Sequence, residues 1–233
     1  SSPGGRILLL GDKQSGTVYL DGRLDTYSLT SSGIGFIETS AAKVSIANDA
    51  NITTIAAHGT TGQWLIDPTD FTVAATGGDI TGSALGSLLA SNSVTIETAT
   101  GTNSATNLFG TSGTNGDIFV NQGVTWSSGN TLTLKAHRNI EINATLDASG
   151  GSGGKLALQY GQGAVANPFT NKATYLINAP LLLQDSGNAN GINGTTPTNF
   201  STKFGSGSST INFTVITSPS GLASLNSTLE NNP

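Results

Sequence analysis

Short runs that alternate apolar with polar side chains recur along this chain, parted by Gly, Asn and Asp turns, and no other feature constrains the fold as strongly. The runs lie at 6–10, 17–20, 35–38, 43–46, 63–66, 71–74, 93–97, 117–120, 131–134, 139–142, 155–159, 175–177, 211–213 and 215–217. A period of two belongs to strands with one buried face. Leu132 and Leu134 point one way; Thr131, Thr133 and Lys135 point the other. A looser cassette of turn, polar residue and apolar run also repeats: Gly-Gly-Arg-Ile-Leu-Leu at 4–9, Gly-Asp-Ile-Phe-Val at 116–120, Arg-Asn-Ile-Glu-Ile at 138–142 and Gly-Gly-Lys-Leu-Ala-Leu at 153–158. Ile118 and Ile140 are 22 residues apart, Ile140 and Leu156 are 16 apart. A repeat of roughly 20 residues with two or three strands and no helix predicts a solenoid. The expected fold is therefore all-β, a parallel β-helix whose turns stack about 4.8 Å apart over a ladder of Val, Ile and Leu. A β-sandwich, with a strand roughly every 8–12 residues, is the competing fold; the cassette favours the β-helix.

Two stretches break the pattern. Residues 83–90, SALGSLLA, carry apolar residues at helical spacing and predict one short helix that caps or flanks the stack. Residues 186–210 are rich in Gly, Asn, Thr and Ser and read as a long loop, or an insertion before a final strand pair. The expected organisation is then turns over 1–75, further turns with a small insertion over 76–165, and C-terminal turns or a cap over 166–233, with fraying at 227–233.

Composition bounds the partners. Charged residues are 10% of the chain, so Thr, Ser and Asn must supply the polar surface, and these suit turns and stacked strands better than helix interiors. Hydrophobic residues at 36% suffice for a core. The net charge is −5 with nine scattered Lys and Arg, whereas nucleic acid and anionic membranes favour clustered positive charge; neither is an expected partner. No run of eighteen apolar residues predicts membrane insertion, and Ser1 opens no signal peptide. A chain that starts Ser-Ser-Pro and has no Met reads as an excised piece whose targeting signals lie elsewhere. The absence of Cys removes disulfides, thiolate metal sites and cysteine nucleophiles together; a long stacked fold needs no disulfide, unlike a small secreted domain.

Two strings carry a family resemblance. Gly35-Phe36-Ile37-Glu38-Thr39-Ser40, followed by Trp64-Leu65-Ile66-Asp67-Pro68-Thr69-Asp70-Phe71-Thr72-Val73, resembles the filamentous-haemagglutinin-like large exoproteins, where a GGFVETS-like segment precedes WLLDPxDVTI. Arg138-Asn139-Ile140-Glu141-Ile142-Asn143-Ala144-Thr145-Leu146 is similar to their NRDITINGTL-type turns. The likeness covers 4–160 well and 161–233 more weakly. WLIDPTDFTV is its most specific part, and Gly33-Ile34-Gly35 departs from the family's plain Gly-Gly. The motif that these proteins present to their outer-membrane transporter is missing, which places this piece downstream of the secretion domain. The resemblance implies a right-handed β-helix (β-solenoid), export by two-partner secretion through a transporter that acts on the parent protein, and a role in adhesion, biofilm formation or toxin delivery. Its high-molecular-weight adhesins bind host-cell glycans.

Chemistry-bearing residues are sparse. His58 and His137 sit in no nucleophile or metal motif and read as turn residues, since general-base work needs a second positioned group. Asp67 with Asp70, and Asp21 with Asp25, are the nearest carboxylate pairs; glycosidases use such pairs, but Asp in a corner more often bonds backbone amides. Asp147, Lys155 and Arg138 are close enough in sequence to form a lyase-like cluster without a motif behind it. Gly150–Gly154 lacks the Gly-Lys-Ser/Thr and following helix of a phosphate loop and reads as a turn. No catalytic, cofactor or metal site is expected. Aromatic rings are the usual platform for sugars. Trp64 alternates with Ile66 and reads as packing; Tyr175 is a further candidate; Trp126, at a strand end read as exposed, and Tyr160 are the expected ligand-binding residues. Six Asn-x-Ser/Thr sequons occur, at Asn51, Asn143, Asn193, Asn199, Asn212 and Asn226.

The leading expectation is a structural and adhesive segment of a secreted, surface-exposed bacterial exoprotein, not an enzyme, with host-cell or matrix glycans as partners. The alternatives are a passive β-helical stalk for a distal toxin or effector, a β-helical polysaccharide lyase or hydrolase, and, lowest, an ice-binding array, for which the Thr-x-Thr pattern is too irregular.

Overall fold

The computed structural model describes residues 4–27, 34–56, 61–98, 116–184 and 199–213, with Val215 and Thr217. It is mostly strand, and the strands pair mainly in parallel. The longest sheet holds, in spatial order, β1 (Arg6–Leu10), β4 (Phe36–Ser40), β7 (Gln63–Asp67), β9 (Ser93–Glu97), β12 (Thr131–Lys135), β15 (Lys155–Val165) and β18 (Phe200–Ser206), all parallel. An antiparallel strand, β19 (Ile211–Phe213), closes that end. A second face is built from the pair β2 (Thr17–Leu20) and β5 (Lys43–Ile46), and from β8 (Phe71–Val73), β10 (Ile118–Val120), β13 (Ile140–Ile142) and β16 (Tyr175–Ile177). A third holds the pair β3 (Arg23–Asp25) and β6 (Asn51–Thr53), and the trio β11 (Val124–Thr125), β14 (Leu146–Ala148) and β17 (Leu181–Leu183). The chain passes from the long sheet to the second face to the third, then returns to the long sheet one strand further on.

Alternation decides what lies inside. In register across the long sheet, Ile37, Trp64, Val94, Leu132 and Leu156 form one inward row. Ile66, Ile96, Leu134 and Leu158 form a second, and all these side chains are buried. Phe71, Ile118 and Ile140 line up on the second face, Val124 and Leu146 on the third, all with no exposed surface. Each such Val, Leu or Ile contributes roughly 1.5–3 kcal/mol of transfer free energy, and these rows belong to one core cluster.

The repeat is uneven. Ile118 pairs with Ile140, 22 residues on, as the spacing predicts. The 16-residue interval from Ile140 to Leu156 is not a turn, because Ile140 pairs with Tyr175 and Leu156 with Leu132. The cassettes at 4–9 and 153–158 belong to the long sheet, those at 116–120 and 138–142 to the second face. The loop expected over 186–210 is corrected in its second half: β18 runs through 200–206 in parallel with β15, while 185–198 lie outside the described residues. Of the two expected final strands, Ile211–Phe213 is present as β19, paired with β18, while Ile216 in the second lies outside the described residues.

The predicted helix is present as α1 (Gly82–Leu89), with Thr81 as its N-cap accepting from the Ala84 N–H. It neither caps nor flanks the stack. It takes the third-face position between β6 and β11: Asn92 donates to the Ile52 carbonyl at 2.8 Å on one side, and Ser128 and Asn130 donate to the Leu89 carbonyl at 2.7 Å on the other. Ala84, Leu85, Leu88 and Leu89 supply the core there. In the same turn the chain doubles back over 74–78, so that Asp79 and Ile80 lie between β5 and β8, with Ile46 N–H bonded to the Asp79 carbonyl and a bridge from Val73 to Ile80.

Candidate functional site

Outward positions of the long sheet carry the polar half of the alternation. In register on four adjacent strands stand Glu97, Lys135, Gln159 and Lys203. They line a groove of about 340 Å³ together with Thr98, His137, Gln162, Ser206 and Gly207. Parallel pairing sets the spacing, close to 4.8 Å per strand, so the row presents a carboxylate, an ammonium, an amide and a second ammonium at that interval.

Local irregularities build the walls. The pairing of β15 with β18 shifts between Tyr160 and Val165, around Gly161 at φ +65°. This bulge brings Gln162 over the groove, where its amide donates to the carbonyls of Tyr160 and Gly205 at 3.1 Å. It also lays Gly163 against the His137 ring, with a Cβ there falling 2.2 Å from the ring; a side chain at 163 would displace the imidazole. The Thr98 hydroxyl donates to Gly116 O at 2.7 Å and accepts from His137 N–H at 3.0 Å, tying the corner between β12 and β13 to the end of β9.

Electrostatically the groove runs against the rest of the molecule. Lys135 and Glu97 pair at 2.5 Å with both side chains about one-third exposed, an interaction worth roughly 0–1 kcal/mol in water. Lys203 has no carboxylate partner among the described residues. Two ammonium groups therefore face one carboxylate in a chain of net charge −5. The arrangement can bind an anionic group at Lys203 and hydroxyls along Gln159 and Gln162; it contains no group of three metal-ligating side chains among the described residues.

The expected ligand residues lie elsewhere. Trp126, read as an exposed strand end, is buried at 3% exposure. Its indole N–H donates to Asn130 O at 3.2 Å, because the turn after β11 folds the ring inward against Gly154. Tyr160 is half-buried, edge-on to Tyr175 at 5.0 Å and tilted against Phe204 at 5.2 Å. Burial, with a smaller contribution from Tyr175, raises its phenol pKa. Trp64 is fully buried and donates to the Thr39 hydroxyl at 3.2 Å. Asp70 accepts from the N–H groups of Gly116 and Asp117 at 2.7 and 2.9 Å, while Asp67 pairs with Lys13 and accepts from Ser40 at 3.0 Å. Asp25 pairs with Arg23 at 2.5 Å, and Asp21 is exposed. Arg138 turns inward onto Asp117, away from Asp147, which accepts from Ser149, and from Lys155 on another sheet. Gly150–Gly154 is a turn leading into β15. His58 lies outside the described residues.

Sequence reasoning missed Glu97, Lys135, Gln159 and Lys203. Glu97, Lys135 and Gln159 close or follow recognisable runs, Lys203 lies in a strand with no such run, and their adjacency depends on intervals of 38, 24 and 44 residues that no periodicity predicts. No family model matches the chain, and no curated protein or solved structure is similar enough to count as a match.

Proposed function

We propose that this chain is a segment of right-handed parallel β-helix from a secreted bacterial surface exoprotein of the filamentous-haemagglutinin type, and that it attaches to acidic glycans of host cells or biofilm matrix. The cyclic return of the chain to three sets of parallel strands supports the β-helix. The strings at 35–40 and 64–73 support the exoprotein class, whose parent would reach the surface through an outer-membrane transporter. No helix among the described residues is long and apolar enough to cross a membrane. One observation carries the adhesive reading: the in-register row of Glu97, Lys135, Gln159 and Lys203 in an open groove. Each contact is weak alone, and many copies on a surface make it useful.

On an array of host and bacterial glycans the chain should select sugars bearing uronate, sialate or sulfate, more weakly at high salt. Lys203→Gln should lower the affinity about tenfold, the scale of one hydrogen bond to a charged group. Binding unaffected by that substitution would place the contact elsewhere. The passive stalk is the second reading, favoured by the flat row Thr95, Thr133, Ala157 and Ser201 beside the groove. A blank array with the chain folded selects it.

A further inference from the structure

We propose a second, separate binding site, for a neutral pyranose, where β2, the end of β5 and the 74–81 loop meet, with Tyr19 as the stacking platform. Alternation in Thr17–Leu20 buries Leu20 and throws Tyr19 outward, 65% exposed. Its register partner on β5 is Ser45, too small to cover the ring. A lone exposed aromatic needs no explanation. Here, however, the ring borders a groove of about 370 Å³, within the roughly 300–1,000 Å³ of small-molecule sites. The groove exists because the chain doubles back over 74–78 to set Asp79 and Ile80 beside β5.

The polar lining suits sugar hydroxyls, which donate and accept at once. Asn48 Oδ1 accepts from the Thr81 hydroxyl at 2.7 Å, which fixes the amide and leaves its two N–H groups to donate. Asp79 Oδ2 accepts from Thr72 N–H at 2.8 Å, which holds the carboxylate in place with Oδ1 as a further acceptor. Asp49 adds an exposed carboxylate on the same turn as Asn48. A pyranose presents an apolar C–H face to a ring such as Tyr19 and hydroxyls at its edge to Asn48 and Asp79, the combination of apolar surface with few convergent polar groups found in ligand sites. The lining charges are carboxylates, and the nearest cation, Lys43, acts on Asp79 from outside the lining, so an acidic sugar is disfavoured. Ligand class thus separates this site from the groove on the long sheet, and neither reading rests on the other.

The test is saturation-transfer NMR and titration of the whole chain with neutral trisaccharides of glucose, galactose or mannose. Binding in the millimolar range is expected, with saturation strongest on one face of a ring. Tyr19→Ala should weaken it tenfold or more, Tyr19→Phe should keep it within threefold, and Asn48→Ala should fall between. Circular dichroism identical to the wild type shows that these surface variants fold. Absence of binding by any neutral sugar, equal binding by Tyr19→Ala, or a loss seen in Lys203→Gln but not in Tyr19→Ala would each overturn the proposal. The last would assign neutral sugars to the long sheet instead.

Discussion

Arg138 illustrates how much a single side chain can change its meaning once it is placed. In the sequence it opens an Arg-Asn-Ile-Glu-Ile cassette and offers a base near Asp147. In the fold it is 1% exposed, its Nε donates to Asp117 Oδ1 at 2.8 Å, and its Nη2 pairs with Asp117 Oδ2. Asp117 also accepts from the Asn139 N–H at 2.9 Å, so the pair pins the start of β13 to the start of β10. Removing one partner leaves a buried, uncompensated charge, which costs about 3–5 kcal/mol. Arg138→Met should therefore lower the unfolding free energy from urea titration by that amount, and adding Asp117→Asn should restore part of it; a single-variant cost below about 1 kcal/mol would count against the pair. The sequons are decided at this scale too. Asn143 donates to Asn121 at 2.9 Å and accepts from Asn178 at 2.7 Å, a ladder across three turns. Asn199 is buried with its amide on Gln184 O at 2.9 Å. Asn51 and Asn212 stand exposed, while Asn193 and Asn226 lie outside the described residues.

Among elements, the strands that pattern reasoning overlooked share a location. β3, β6, β11, β14 and β17 make up the third face, and each is two or three residues long. β8, β10 and β13 are as short yet show two large apolar residues two apart. β3, β6, β11 and β14 show one, and the Leu181–Leu183 run of β17 does not alternate, so period two cannot announce them. β18 was hidden differently: Phe200–Ser206 is polar and glycine-bearing, and it is a strand because β15 offers it a parallel edge. Helix α1 was legible, since Ala84, Leu85, Leu88 and Leu89 keep helical spacing; its place was not. Gly82 and Gly86 show how it fits. A Cβ at 82 would lie 2.0 Å from Gly123 O and one at 86 2.3 Å from Thr125 O, so the helix touches the backbone of β11. Gly86→Ala should cost about 1–3 kcal/mol despite alanine's better helix propensity. Ser87→Ala, on the exposed side, should stay within about 0.5 kcal/mol. Equal urea midpoints for the two variants would mean that the helix has room to move.

At the scale of the molecule, each strand of the long sheet touches mainly its predecessor and successor, and stability should follow that order. β7, β9 and β12 are paired on both sides and their inward residues are fully buried. Among the described residues β1 is paired on one side only, and Ile7 and Leu9 beneath it are only half-buried. Local opening draws on the least buried elements. Hydrogen exchange should therefore be slowest in β7, β9 and β12 and faster by orders of magnitude in β1, β2 and β3. Uniform protection across all of them would indicate a single cooperative unit instead. The two grooves also belong to this scale, because each sits where the regular stacking is interrupted, at the bulge in β15 and at the doubled chain after β8.

Composition and alternation by themselves determined that the chain is rich in strands, which face of each longer strand is buried, and where one helix lies. Those are local properties, written in the period of side chains along the backbone. Tertiary structure alone decided which strands are neighbours, because parallel pairing distances vary from 22 to 47 residues and turn lengths leave no periodic trace. It also decided which polar residues share a groove. Trp126 turned inward because its N–H found the Asn130 carbonyl, whereas Tyr19, never singled out in the sequence, stands exposed beside a cavity made by a loop. An aromatic side chain is platform or core according to what the rest of the fold lays over it.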